Sequence, residues 1–429
     1  MPNTPASPNR VAFAQSPNRT GQPRKRGRGP MISAIVAIIL GLAAVVAAVQ
    51  LLRPLPAVAA ITSLPTSYTI PGTAPKIPWP TSGQASIEVL GVGSLGSSGT
   101  QTPKPIASTA KIMTAYVILK DHPLADGAAG PAITITAADV ADYEADVAAN
   151  DSAARVTLGE KLSERAALEA LMIPSADNIA RKLATWDAGT KAAFIAKMNA
   201  TAASLGMTKT HYTDASGLEA TTTSTAVDQV KLAEKAIAMP AFAEIVAMKS
   251  ATLPVAGKVK NYNALLGKYG VFGIKTGSTS AAGGCLVFAA HRTYAGHMYT
   301  IIGAVLGQGV NGPFVDVLPK VMTASSKVIT AAGAALKTYP VVRSGQNVGS
   351  LAGPLGSGTA VLAGTDLSVV GWPGLTYQLK VQVATPRHAS AGAALGTIQA
   401  SGHLTTANAP AIAQDQMTPP GLWKRLTRH

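Results

Sequence analysis

The sequence predicts an α/β chain carried on one membrane-spanning helix, with a β-rich part toward its C-terminus. Three observations predict it. Met31 to Leu52 runs uncharged for 22 residues. Between Ser108 and Ala247 apolar residues recur at helical spacing. From Val271 onward short runs of β-forming residues alternate with Gly and Pro. The 429 residues are 47% apolar and 13% charged, which excludes a highly charged disordered chain and leaves room for two or three domains at about 150 residues each. The one cysteine, Cys285, excludes an intramolecular disulfide. It sits in the apolar run Cys285–Ala290 and is expected to be a small core residue. The histidines show no metal-ligand spacing, so neither a metal nor a cofactor is expected.

Charge is concentrated at the ends. Residues 1–53 hold Arg10, Arg19, Arg24, Lys25, Arg26, Arg28 and Arg53 with no acid, and Lys424, Arg425 and Arg428 close the chain. Of the formal +15, only about +5 belongs to the residues between, which argues against a nucleic-acid partner, since a binding groove needs cations threaded through the fold. The 1–30 segment, rich in Pro, Asn, Ser, Arg and Gly, is expected to be a disordered basic tail. The following 31–52 run makes about 33 Å of helix, enough for the roughly 30 Å core of a bilayer. Basic residues before it place the N-terminus in the cytoplasm and the rest outside, anchored in the cytoplasmic membrane. The alternative is a cleaved signal peptide ending near Ala57-Val58-Ala59. Against that, the apolar run is longer than a signal core, and Arg53 and Pro54 separate it from the triplet.

Residues 53–83, Pro/Ser/Thr-rich, read as an extended linker, with regular patterns beginning at Gln84. Ala85–Leu90 reads as a strand. Helices follow at Ser108–Leu119, Lys161–Ile173, Asn178–Trp186, Thr190–Leu205, Thr225–Ala238 and Ala241–Ala247. Strands are expected at Val271–Lys275, Gly284–Ala290 and Met298–Leu306, the last two joined as a hairpin, then a helix around Val315–Leu336. Residues 84–338 form the main domain, 339–405 a small β-rich domain and 406–429 a polar tail ending GLWKRLTRH.

Three segments carry chemistry. Ser108 and Lys111 stand three apart at a helix start, which brings both onto one face. A lysine there can take the serine proton if burial or a neighbouring cation makes the amine available. Lys275-Thr276-Gly277, followed by Ser278, ends a predicted strand. There an ammonium and a hydroxyl can face a carboxylate, and glycine lets a ligand approach the strand. Ser175, between two helices, could pass a proton to a leaving amine. Each has a plain structural reading as well: Ser108 and Ser175 as helix caps, Lys275 as an edge-strand lysine.

Taken together and in this order, the segments resemble the serine acyl-transferases that act on penicillin and peptidoglycan, and more narrowly the D-alanyl-D-alanine carboxypeptidases among the low-molecular-weight penicillin-binding proteins. Pro105–Thr114, Leu205–Thr208, Thr213–Leu218 and Ser224–Asp228 are similar to that branch as well, and the likeness covers about 80–310. It implies a β-lactamase/DD-peptidase-like α/β fold: an antiparallel sheet flanked by helices, a helical subdomain carrying Ser175, and a small sandwich behind. By the resemblance Ser108 is the nucleophile, Lys111 its base and Ser175 a proton relay. The N–H groups of Ser108 and Ser278 form the oxyanion hole, and Lys275 and Thr276 hold the terminal carboxylate beside Gly277. Peptidoglycan stem peptides are the implied substrates and β-lactams the covalent inhibitors.

One position departs from the family. The middle triplet Ser-x-Asn reads here Ser175, Ala176, Asp177. An ionised aspartate cannot donate to a substrate carbonyl, and its charge favours a protonated Lys111. Asn178 is adjacent, but one residue along a helix points about 100° away. Either the loop is shifted by one residue, or the site is slower or more selective. The sequence allows two other readings. A class A-like β-lactamase lacks its Glu-x-x-Leu-Asn here. A silent wall-binding or penicillin-sensing protein would make Asp177 a mark of decay.

Overall fold

The computed structural model describes residues 29–310 and 312–428. The expected 1–30 tail lies outside them, except for Gly29 and Pro30 at the start of α1 (Gly29–Leu52). The apolar window of α1 has mean hydropathy 2.9 and none of it is buried against the rest of the chain. A helix apolar on every side with no buried face along its apolar window fits a lipid surround or a signal sequence.

The 53–83 segment does not remain without regular structure. It carries β1 (Ala59–Thr62) and β2 (Ser67–Thr69). Each closes one edge of the C-terminal sheet, with Ala59 opposite Ala352 and Tyr68 opposite Tyr377. The nearby prolines obscured them, but short proline-flanked strands are what sheet edges tolerate.

Next come β3 (Gln84–Val89), β4 (Gly93–Ser98) and β5 (Lys104–Pro105), then a 3₁₀ turn over Ala107–Ala110 that leads into α2 (Lys111–Asp121). The predicted helix therefore begins as a tighter turn at Ser108. β6 (Ala132–Thr134), α3 (Ala137–Ala149), β7 (Lys161–Ser163), α4 (Glu164–Met172), α5 (Asp177–Ala188) and α6 (Lys191–Ser204) build the helical subdomain. The first three residues of the expected Lys161–Ile173 helix are thus strand. α3 was not legible because its inner face is ionic: buried Asp139 and Asp146 meet Lys182 at 2.7 Å and Arg181 at 2.6 Å on α5. Its start is a capping box of Thr136 and Asp139.

β8 (Thr223–Ser224), α7 (Ala226–Ile237), α8 (Pro240–Ala247), and the hairpin of β9 (Ser250–Leu253) and β10 (Gly257–Lys260) return the chain to the centre. There β11 (Val271–Thr279), β12 (Gly283–Tyr294) and β13 (His297–Gln308) complete an antiparallel sheet of order β11-β12-β13-β3-β4. α9 (Val317–Ala335) covers one face and α7 the other. The continuous apolar run of β12 follows from that. Leu286, Phe288 and Ala290 enter the core under α9, while Cys285, Val287 and Ala289 enter the core under the helical subdomain. Cys285 is the core residue expected, its thiol pushed up to about 12 by burial.

The C-terminal part holds β14 (Lys337–Val342), β15 (Asn347–Ala352), β16 (Gly358–Ala363), β17 (Leu367–Gly371), β18 (Thr376–Val383), β19 (Ala394–Ser401) and β20 (Thr406–Ala413). β20 lies beyond the expected limit at 405. Its inward residues are Ala409, Ala411 and Ala413, too small to read as strand formers. Finally α10 (Leu422–Leu426) meets the end of α1. Arg425 donates to the Leu51 carbonyl and Arg428 to those of Gln50 and Arg53, groups a helix end leaves unpaired.

Glu164 is fully buried at the start of α4, and neither carboxyl oxygen has a hydrogen-bond partner among the described residues. Burial raises its pKa from 4.5 to about 7. A carboxyl whose folded pKa is raised holds its proton more tightly when folded. The contribution of Glu164 to stability is therefore greatest below pH 4.5, declines as pH rises toward 7, and stays low above. Glu164→Gln should melt several degrees higher than wild type at pH 8 and nearly level with it at pH 4.5, as followed by thermal unfolding across that range.

Candidate active site

Ala107 adopts φ +46, a left-handed conformation that costs a non-glycine residue energy and starts the 3₁₀ turn. Thr109 holds the turn by donating its hydroxyl to the Ile106 carbonyl at 2.7 Å. In a 3₁₀ turn side chains three apart eclipse, which sets Lys111 over Ser108. The Lys111 side chain is fully buried, and all three of its N–H directions are occupied. Nζ donates to Ser108 Oγ at 2.9 Å, to Asp177 Oδ1 at 2.6 Å and to the Ser216 carbonyl at 3.0 Å.

Asp177 occupies the first turn of α5, where a helix N-terminus favours negative charge. The alternative of a one-residue shift fails on geometry. Asn178 is turned away, its amide accepting from Ala154 N–H at 3.1 Å and donating to the Ala154 carbonyl at 2.9 Å. It ties α5 to the 150–156 loop, and Asp177 N–H adds a bond to the Ser152 carbonyl at 2.7 Å. Ser175 is buried at φ +67, and its hydroxyl has no partner among the described residues. It is not the cap of α5: Ala176 holds that position, with no side-chain hydrogen bond.

Lys275, Thr276, Gly277 and Ser278 lie within β11, not at its end, because the strand continues to Thr279. Lys275 is buried and donates to the Thr276 carbonyl at 3.1 Å. Burial first, then the neighbouring Lys111 charge, hold its amine well below the usual lysine range, with Asp177 opposing. Gly277 is where the strand meets the serine turn. A Cβ there would stand 3.0 Å from the backbone nitrogens of Ser108 and Thr109. The structure thus brings Ser108, Lys111 and Asp177 into direct contact, sets Gly277 against the serine turn, and places Lys275 within electrostatic reach of Lys111 and Asp177. No hydrogen bond links Ser175 to them.

Two contributors were not read as functional from sequence. The Ser216 carbonyl is a backbone group and carries no sequence signal beyond the Asp214-Ala215-Ser216-Gly217 turn. The Ala154 backbone carries none. Among the described residues no group of three or more His, Cys, Asp or Glu is placed to hold a metal ion.

A serine bonded to a buried lysine three residues on, beside a lysine-bearing strand of an antiparallel sheet, fits the class of serine-type hydrolases. Residues 95–308 match the family model described as D-alanyl-D-alanine carboxypeptidase. The chain is 36% identical over 229 residues to the D-alanyl-D-alanine carboxypeptidase of Streptomyces sp. strain K15, covering 49% of this chain and 75% of that protein. The crystal structure of the Streptomyces K15 DD-transpeptidase matches with TM-score 0.50 at 31% identity, over 62% of this chain and all of that one. The carboxypeptidase DacD from Francisella tularensis shares the fold at TM-score 0.55 and 20% identity, over 82% of this chain and 97% of that one. The chain belongs to the D-alanyl-D-alanine carboxypeptidase family of serine-type hydrolases.

Asn178→Ala strips two buried backbone groups of their partners and should cost about 2–4 kcal/mol of stability, read by denaturant unfolding. An unchanged midpoint would contradict the tether between α5 and the 150–156 loop.

Proposed function

We propose that this chain is a membrane-anchored carboxypeptidase that removes the terminal D-Ala from peptidoglycan stem peptides through an acyl-enzyme on Ser108, and that β-lactams acylate the same serine. The observation that carries the reading is the 2.9 Å bond between Lys111 Nζ and Ser108 Oγ, in a lysine with no exposed surface. A neutral Lys111 can keep two N–H bonds, to Asp177 and to the Ser216 carbonyl, and aim its lone pair at the Ser108 hydroxyl. No heavy atom has to move.

Ser108 Oγ then attacks the carbonyl of the penultimate D-Ala as Lys111 takes its proton. The N–H groups of Ser108 and Ser278 stabilise the oxyanion. Ser175, whose hydroxyl is unengaged, passes a proton to the departing D-Ala nitrogen. Lys275 and Thr276 hold the terminal carboxylate, and Gly277 lets strand and serine turn close around the peptide. Water hydrolyses the ester and frees Ser108.

The cations before α1 support a cytoplasmic N-terminus with residues 84–338 as the catalytic domain outside. Retention of α1 is supported by the contacts of Arg425 and Arg428 with its end. In addition, the candidate cleavage triplet is built into the fold: Val58 is buried and Ala59 begins β1.

The Lys111–Asp177 ion pair favours a second reading, a weakly catalytic protein that binds wall peptides or senses penicillin. The carboxylate stands 2.6 Å from the Lys111 amine, so the residue proposed as base rests as one half of a buried ion pair. Detergent-solubilised full-length protein incubated with fluorescent penicillin separates the two. The first reading expects a covalent band, lost in Ser108→Ala, and D-Ala release from a stem pentapeptide. Asp177→Asn should then acylate about tenfold faster, the scale of removing roughly 1.4 kcal/mol from the resting state. A folded wild type without a band would favour the second reading.

Lys275 adds a pH dependence. Its amine is neutral at a lower pH than an ordinary lysine, while a bound carboxylate favours the ammonium. KM for a D-Ala-D-Ala peptide should therefore rise with pH on the alkaline side. Lys275→Arg, which stays charged, should flatten that rise in steady-state assays.

A further inference from the structure

The Ser216 carbonyl that holds Lys111 belongs to a turn gathered by one side chain. Asp214 Oδ2 accepts from Ser216 N–H at 3.1 Å, Ser216 Oγ at 2.6 Å, Gly217 N–H at 2.7 Å and Leu218 N–H at 3.0 Å. Its Oδ1 accepts from Thr222 Oγ1 at 2.5 Å. Thr222 Oγ1 in turn accepts from the N–H groups of Thr213 at 3.0 Å and Asp214 at 3.1 Å. One carboxylate thus takes the donors of three successive residues and locks them to the returning limb of the loop.

This turn seats directly on the serine. Gly217 has φ +82, and a Cβ on it would stand 1.9 Å from the Ala107 carbonyl oxygen and 2.9 Å from Ala110 Cβ. The Ala215 carbonyl accepts from the Thr114 hydroxyl of α2 at 2.6 Å. The turn therefore grips the 3₁₀ turn at Ala107 and α2 at Lys111 and Thr114, one face spanning about two turns. Of the three acceptors around Lys111 Nζ, Asp177 comes from α5 and Ser108 from the same turn. Only the Ser216 carbonyl depends on Asp214.

We propose that Asp214 is a positioning residue for the reaction: it orients the Ser216 carbonyl so that Lys111 Nζ stays aligned with the Ser108 hydroxyl. The proposal rests on the reading of Ser108 as nucleophile and Lys111 as base. The hydrogen bonds given for the Asp214 carboxylate go to Ser216, Gly217, Leu218 and Thr222 and to neither Ser108 nor Lys111. Without its carboxylate the turn's N–H groups would seek water, the Ser216 carbonyl would rotate, and Lys111 would keep only its bonds to Asp177 and Ser108, with no third acceptor to fix its direction. A shift of about 1 Å at a reacting group is worth roughly a hundredfold in rate.

The test is the saturation kinetics of acylation by fluorescent penicillin in the full-length protein, giving the acylation rate constant and the noncovalent Kd. The Kd is checked again in a Ser108→Ala background. Asp214→Ala should acylate about a hundredfold slower and Asp214→Asn, which keeps one accepting oxygen, about tenfold slower. Kd should stay within about twofold for both, because the carboxylate-holding strand is untouched. Should Asp214→Ala fail to fold, Asp214→Asn and Thr222→Val carry the same comparison. A wild type that labels and variants that acylate at its rate overturn the proposal alone. So does a loss shared by rate constant and Kd alike, which marks a general loosening of the fold. A wild type that never labels overturns this proposal together with the reading beneath it.

Discussion

A lysine with no exposed surface at the centre of the cleft is the constraint on which the other elements depend. A buried ammonium needs an acceptor for each of its protons, and no single element can supply three in the right directions. Ser108 comes from the 3₁₀ turn beneath it, Asp177 from the first turn of α5, and the Ser216 carbonyl from the 214–218 turn. These positions lie up to about a hundred residues apart in sequence. The cleft can form only when sheet, helical subdomain and loop are all in place, so site and fold are completed together.

Tight approaches keep these elements in contact. β11 meets the serine turn at Gly277 and the 214–218 turn meets it at Gly217, with only hydrogens between backbones. The two side chains assigned chemistry are attached to strained backbone: Ser108 follows Ala107 at φ +46, and Ser175 stands at φ +67. Such conformations persist where surrounding packing overdetermines them. Here that packing is the doubly covered sheet on one side and the α5 tether to Ala154 on the other.

Asp177 changes the character of the centre more than its location. Two buried lysines, Lys111 and Lys275, lie within electrostatic reach of each other and of the Asp177 carboxylate. Its charge offsets both, which keeps two buried cations compatible with a folded site.

By itself the sequence determined the long apolar N-terminal helix, the order of helices before strands, and the pairs Ser108–Lys111 and Lys275–Thr276 to which chemistry is assigned. Each is a local signal: an uncharged run long enough for a bilayer, a 3.6 or 2 residue period, a spacing that puts two side chains on one face. Tertiary structure decided what depends on partners distant in the chain. α3 was hidden because ion pairs with α5 stand where apolar residues would, and β1, β2 and β20 because edge strands and alanine-lined strands carry little β signal. Whether Asp177 or Asn178 serves the site was undecidable from the sequence. The answer lies in the Ala154 backbone, which captures Asn178 and leaves Asp177 facing Lys111. The Ser216 carbonyl could not have been found either, since a main-chain group acquires its role only from where the fold puts it.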